Sequence, residues 1–86
     1  MAYDYATERP ALFTDEGQQA FLEVRDKVNK MLMGNGAVMH GSIRVPGDTW
    51  FHMACLDRMI ELGEIVEITG RDVAGQHRVY VKPGTL

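Results

Sequence analysis

The chain lacks most of the features that mark secreted or membrane proteins. Only one of its 86 residues is a cysteine, Cys55, so no disulfide can form within the chain, and this usage suits a reducing compartment. No apolar run approaches the roughly 18 residues that a membrane-spanning helix needs. The first residues, Met1-Ala2-Tyr3-Asp4-Tyr5, have neither the basic start nor the apolar block of a secretion signal. We therefore expect a cytoplasmic protein that does not enter a membrane.

Recognisable catalytic and metal-binding motifs are also missing. The sequence has no Ser-His-Asp arrangement, no glycine-rich phosphate loop and no paired-carboxylate context. The soft metal-ligand residues are His40, His52, Cys55 and His77. His52 and Cys55 are three apart and would share a helix face, but no second close pair completes a zinc spacing. We therefore expect no enzyme, no cofactor and no metal site, and we expect Cys55 to be a small core residue.

Composition indicates one small folded domain. Hydrophobic residues make up 45% of the chain and charged residues 24%, which is typical of a globular protein and not of a disordered one. The formal net charge is −3, which argues against a protein that binds nucleic acid mainly through bulk electrostatics.

The first half of the chain predicts an arm followed by a helix. Residues 1–13 show neither helical nor strand periodicity, so we expect a flexible N-terminal arm and a folded domain over residues 14–83. Thr14 is a suitable N-cap, and apolar residues then recur at three- and four-residue steps, which predicts a helix from about Asp15 to Met33. Gly17 weakens this helix near its start. Gly34-Asn35-Gly36 is a strong stop signal.

The second half predicts a strand, a helix and a hairpin. Pro46-Gly47 breaks the backbone, Asp48 or Thr49 caps the next helix, and Gly63 ends it. Beyond Gly63 the apolar period changes from that of a helix to that of a strand. The expected elements are a short strand at Ala37-Val38-Met39, a helix over Asp48–Leu62, and two paired strands within Glu64–Thr69 and Gln76–Lys82, joined by a polar loop over Gly70–Gly75.

The segment Asp48–Val81, with its Leu62-Gly63-Glu64-Ile65-Val66-Glu67 junction, resembles the recognition helix and wing of a winged helix domain. Ala37-Val38-Met39 resembles the first strand of that family. The resemblance implies a small α+β domain with helix, short strand, helix and β-hairpin wing. It departs from the family between Met39 and Asp48, where the chain has room only for a single turn around Ser42-Ile43-Arg44 in place of a second helix.

The resemblance implies a DNA-binding or transcription-associated regulatory protein of the kind that phages and plasmids carry, with double-stranded DNA as its partner. In such domains the recognition helix enters the major groove and the wing contacts the backbone or minor groove. The matching candidates for nucleic-acid contacts are Arg44, Thr49, His52, Arg58, Arg71, Arg78 and Lys82. Acidic residues occupy the same elements, so the arginines have a second interpretation, in which they only pair with neighbouring acids.

A second function remains open, namely a protein–protein interaction module that keeps the winged-helix frame without reading DNA. Its candidate residues are the adjacent aromatics Trp50 and Phe51. Neighbouring residues on a helix point about 100° apart, so both side chains cannot easily share one narrow core stripe. An exposed one would anchor a protein contact. In the alternative, Trp50 covers the short strand and Phe51 lies beneath the wing. The sequence leaves a homodimer open as well.

Overall fold

The computed structural model describes residues 3–43, 48–69 and 77–84 and has an α+β architecture of helices and an antiparallel sheet. No described helix combines the length and the apolar character needed to cross a bilayer. In chain order the elements are α1 (Tyr5–Glu8), a 3-10 helix (Arg9–Phe13), α2 (Asp15–Asn35), β1 (Val38–Met39), a 3-10 helix (His40–Ser42), α3 (Thr49–Glu61), β2 (Val66–Glu67) and β3 (Val79–Val81).

The predicted first helix is confirmed as α2, which runs two residues beyond the expected end. Thr14 is its N-cap, and the Thr14 hydroxyl oxygen accepts a hydrogen bond from the Gly17 amide at 2.9 Å. At the other end Gly36 has a φ of +76°, and its amide donates to the Leu32 carbonyl at 2.9 Å. This left-handed conformation is available to glycine without steric cost, so the helix ends there.

The predicted second helix is confirmed as α3, and capping residues fix both of its ends. The Asp48 carboxylate accepts from the Phe51 amide at 2.8 Å. After the helix, Gly63 adopts a φ of +77°. The Gly63 amide donates to Ile60 and the Glu64 amide to Met59, both at 2.9 Å, which is the hydrogen-bond pattern of a Schellman motif.

The strands form a three-stranded antiparallel sheet in the order β1-β3-β2. Val38 pairs with Tyr80, and Val66 pairs with Val81. The predicted pairing of the last two strands is therefore confirmed, while their connecting loop, Gly70–Gly75, lies outside the described residues. The short strand at Val38–Met39 is also confirmed, and it pairs with β3 at the opposite edge from β2.

One hydrophobic core joins the helices to the sheet. The buried positions of α2 are Gly17 and the period-four residues Val24, Val28 and Leu32. Tyr80 of β3 belongs to the same core and has no exposed surface. Ile68, just past the end of β2, is 44% exposed.

The N-terminal segment differs from the flexible arm expected for residues 1–13. Its described part forms α1 and the 3-10 helix, and it packs against α3. The Tyr3 hydroxyl donates to the Asp57 carboxylate at 2.6 Å, and Arg9 pairs with Glu61 at 3.1 Å. Leu12 is buried in the core. These elements are too short to show a helical period, and tertiary contacts to α3 stabilise them.

Candidate interaction surfaces

The predicted nucleic-acid residues do not form one continuous surface within the described part of the chain. Arg44 and Arg71 lie outside the described residues. Thr49 and His52 line a pocket at the N-terminal end of α3, whereas Arg58 lines a different groove near its C-terminal end. Arg78 precedes β3, and Lys82 follows β3 and is exposed.

Two of these arginines are engaged with acidic neighbours. Arg58 Nη1 lies 2.6 Å from Glu61 Oε1. Arg78 is half-buried, and its Nε lies 3.7 Å from Glu67 Oε2, which is an ion-pair distance too long for a hydrogen bond. Both pairings agree with the second interpretation of the arginines, in which they neutralise neighbouring acids.

Helix α3 is covered almost all round. Of its residues Thr49–Glu61, only the first and the last are exposed, and six are buried, including His52, Ala54 and Leu56. Helix α2 and the sheet cover the apolar positions, and the N-terminal segment covers the side that carries Asp57 and Glu61. A helix that reads a DNA groove must present side chains to the base edges from a free face. In this packing six residues of α3 are buried and five are half-buried, so no stripe along α3 is fully exposed.

All three histidines of the chain line one pocket of about 460 Å³. The described residues of its lining are Met39, His40, Gly41, Ile43, Thr49, His52 and His77, and none of these is a carboxylate. The rings of His40 and His52 meet edge to face, with centroids 6.4 Å apart. Burial, aided by the charges of His52 and Arg78, lowers the pKa of His40 below its ordinary value.

His40 itself is only 5% exposed, and neither of its ring nitrogens makes a hydrogen bond of ordinary geometry with a described residue. The Thr49 backbone lies close to His40 and raises its pKa, which partly offsets the effect of burial. Within the described residues no group of three His, Cys, Asp or Glu side chains is placed to hold a metal ion. Cys55 is a fully buried core residue, as expected, and burial raises the pKa of its thiol to about 12.

Trp50 and Phe51 are both half-buried. The Trp50 ring meets the Tyr3 ring edge-on, with centroids 6.5 Å apart. Phe51 packs against the core and lines a shallow groove with residues of the N-terminal segment and α2. The N-terminal segment, the core and α2 therefore partly cover Trp50 and Phe51.

The exposed aromatic side chain is Phe13, which the sequence did not indicate as an interaction residue. Phe13, Leu22 and Leu62 are 45%, 56% and 46% exposed and meet in a groove of about 240 Å³. We call it the arginine-flanked groove, and its full lining is Leu12, Phe13, Gln18, Phe21, Leu22, Arg58 and Leu62. A signal was present, since Leu12-Phe13 and Phe21-Leu22 are adjacent apolar pairs, and in each pair one residue is core-facing while the other is exposed.

Two guanidinium groups lie close to the Phe13 ring. The Arg9 guanidinium carbon is 4.8 Å from the ring centroid, and that of Arg58 is 5.1 Å from it. Both arginines pair with the same carboxylate, Glu61. Hydrogen bonds from Arg58, Tyr5 and Arg9 hold the pKa of Glu61 below its usual range, although its exposed position limits their energetic value. The edge of the groove therefore carries two cations for one anion.

No model of a known protein family matches the chain, and neither a curated protein nor a solved structure is significantly similar to it.

Proposed function

We propose that this chain is a protein–protein interaction module on a winged-helix-like frame that does not read DNA with its helix α3. The frame is supported by the order of helix, strand, helix and hairpin and by a hairpin of β2 and β3 that follows α3 directly. The short 3-10 helix at His40–Ser42 supports the proposal, because the resemblance leaves room for only a single turn between the short strand and the next helix.

The single observation that carries this proposal is the burial of α3. A recognition helix needs a free face, but α3 leaves only its two terminal residues exposed. Charge points the same way, because the net charge is −3 and the described arginines at positions 58 and 78 lie beside carboxylates. Neither feature supplies the dense cation surface on which phosphate binding depends.

Contact with the phosphate backbone of DNA is a second candidate, favoured by the histidine pocket. Thr49 and His52, both predicted nucleic-acid residues, line it together with His40 and His77. Hydroxyl and imidazole N–H groups donate to phosphate oxygens, and none of the described lining residues is a carboxylate that would repel an anion. In this candidate the protein contacts the DNA backbone without inserting α3 into the major groove.

A duplex titration separates the two candidates. Fluorescence anisotropy of a labelled mixed-sequence duplex is measured with the unmodified protein at about 50 mM and about 200 mM salt. We expect no binding at either salt concentration. Binding at low salt that weakens steeply at the higher concentration, and weakens further in the exposed-site variant His77→Ala, would favour the phosphate-contact candidate and contradict the interaction module.

A further inference from the structure

We propose that the arginine-flanked groove binds an apolar segment of a partner protein that carries a carboxylate beside a bulky aliphatic or aromatic side chain. This inference rests on the proposed function and names the chemistry of its partner.

The size and lining of the groove favour a side chain over a free small molecule. Its volume of about 240 Å³ is below the range of about 300–1,000 Å³ that is usual for small-molecule sites. Five of its seven described lining residues are apolar, and Arg58 is the charged one among the seven. Such a groove accepts a Leu-sized or Phe-sized side chain of an approaching segment, as in helix-in-groove recognition.

Convergence distinguishes these apolar side chains from others on the surface. Met33 is more exposed, at 79%, but it does not line this groove. Phe13, Leu22 and Leu62 come from three different parts of the chain and line one groove. Scattered apolar residues are normal on a protein surface, whereas contiguous ones mark an interaction site.

Charge identifies the polar part of the partner. In a chain with a net charge of −3, the edge of this groove has Arg9 and Arg58 sharing the carboxylate of Glu61. A second carboxylate, brought by the partner, would balance the two guanidinium groups. Arginine suits this role because its planar fork matches the two oxygens of a carboxylate. An acidic and apolar segment is therefore complementary, and a basic one is not.

The test uses a phage-displayed peptide library selected on the full chain, followed by anisotropy titrations of the enriched peptides. The groove variant is Leu22→Glu, and the matched control is Met33→Glu on the same helix. Both positions are exposed, both variants add one negative charge, and glutamate is a good helix former, so the fold is retained. Circular dichroism of both variants checks that the fold is retained.

We expect enriched peptides to pair a bulky apolar residue with an Asp or Glu. Their affinity should fall by at least about tenfold in Leu22→Glu, or about 1.4 kcal/mol, and by less than about threefold in Met33→Glu. Replacing the peptide's acidic residue by its amide should also weaken binding. The proposal is overturned by a library that yields no binding peptide, by peptides that bind Leu22→Glu as well as wild type, or by basic peptides being enriched.

The outcomes also separate this proposal from the proposed function. Peptides that bind wild type and Leu22→Glu equally would leave an interaction module with a different surface. Binding of wild type to duplex DNA would remove the interaction module itself. A dimer seen by sedimentation in wild type and Met33→Glu but lost in Leu22→Glu would identify a second copy of this chain as the occupant, against the partner proposed here.

Discussion

Substitution of Gly17 by alanine tests the packing of the N-terminal segment on α2. A Cβ atom added at Gly17 would lie 1.8 Å from the Ala11 carbonyl oxygen and 2.9 Å from Thr14 Oγ1. The Ala11 oxygen also accepts a hydrogen bond from the Thr14 hydroxyl at 3.0 Å, and this hydroxyl oxygen caps α2. The extra methyl group therefore meets backbone, which cannot move aside as a flexible side chain would.

Two opposing effects determine the result. Alanine is a better helix former than glycine by about 1 kcal/mol. Inserting a methyl group into a packed contact costs about 1–3 kcal/mol, and here the Ala11 carbonyl would have to move together with the cap. We expect Gly17→Ala to lower the free energy of unfolding by up to about 2 kcal/mol.

Gly34 provides the matched control on the same helix. It lies near the end of α2, has no positive φ, and a Cβ there would meet nothing within 4 Å. Gly34→Ala should therefore raise the free energy of unfolding by about 0.5 kcal/mol. Urea titrations followed by circular dichroism compare the two variants with wild type. If both substitutions stabilise the protein, residue 11 does not pack on residue 17, and the coverage of α3 by the N-terminal segment loses its support.

The remaining predictions concern the core and the histidine pocket. Leu56 is fully buried at the centre of α3, so Leu56→Ala should cost about 2–5 kcal/mol of unfolding free energy in a urea titration; a loss below about 1 kcal/mol would contradict its central place in the core. Burial and neighbouring charges lower the pKa of His40 in the folded protein. As the pH falls, His40 is therefore protonated in the unfolded chain before it is protonated in the folded one. The stability due to neutral His40 is therefore present above about pH 6.5 and is lost as the pH falls toward the folded-state pKa. Between about pH 7.5 and about pH 5 the free energy of unfolding should decrease more for wild type than for His40→Met. Equal decreases in the two proteins would refute this assignment to His40.

The sequence predicts the long elements of this fold because several local signals agree there. In α2 and α3 the caps Thr14 and Asp48, the apolar period and the terminal glycines Gly36 and Gly63 all indicate the same boundaries. Such agreement between local propensity and global packing is what makes a prediction from sequence reliable. The N-terminal segment shows the opposite case. Its helices are short, so tertiary contacts such as that of Tyr3 with Asp57 determine its structure.

The candidate surfaces are harder to predict because they depend on which faces other elements cover. Trp50 stands out in the sequence as an aromatic beside another aromatic, yet the ring of Tyr3 packs against it. Phe13 and Leu22 directly follow inward-facing residues in the sequence, so the sequence pattern does not indicate that they are exposed. In the fold they line one groove together with Leu62. Periodicity identifies the inner face of each helix, but it cannot show where the outer faces of two helices meet a third segment.

Release of the N-terminal segment from α3 would not expose a surface suited to DNA. The N-terminal segment contacts α3 chiefly through Asp57 and Glu61, which accept hydrogen bonds from Tyr3, Tyr5 and Arg9. Burial raises the pKa of Asp57 above its usual value, so release of the segment would favour its ionised form. The face thus exposed would carry two carboxylates and would repel phosphate.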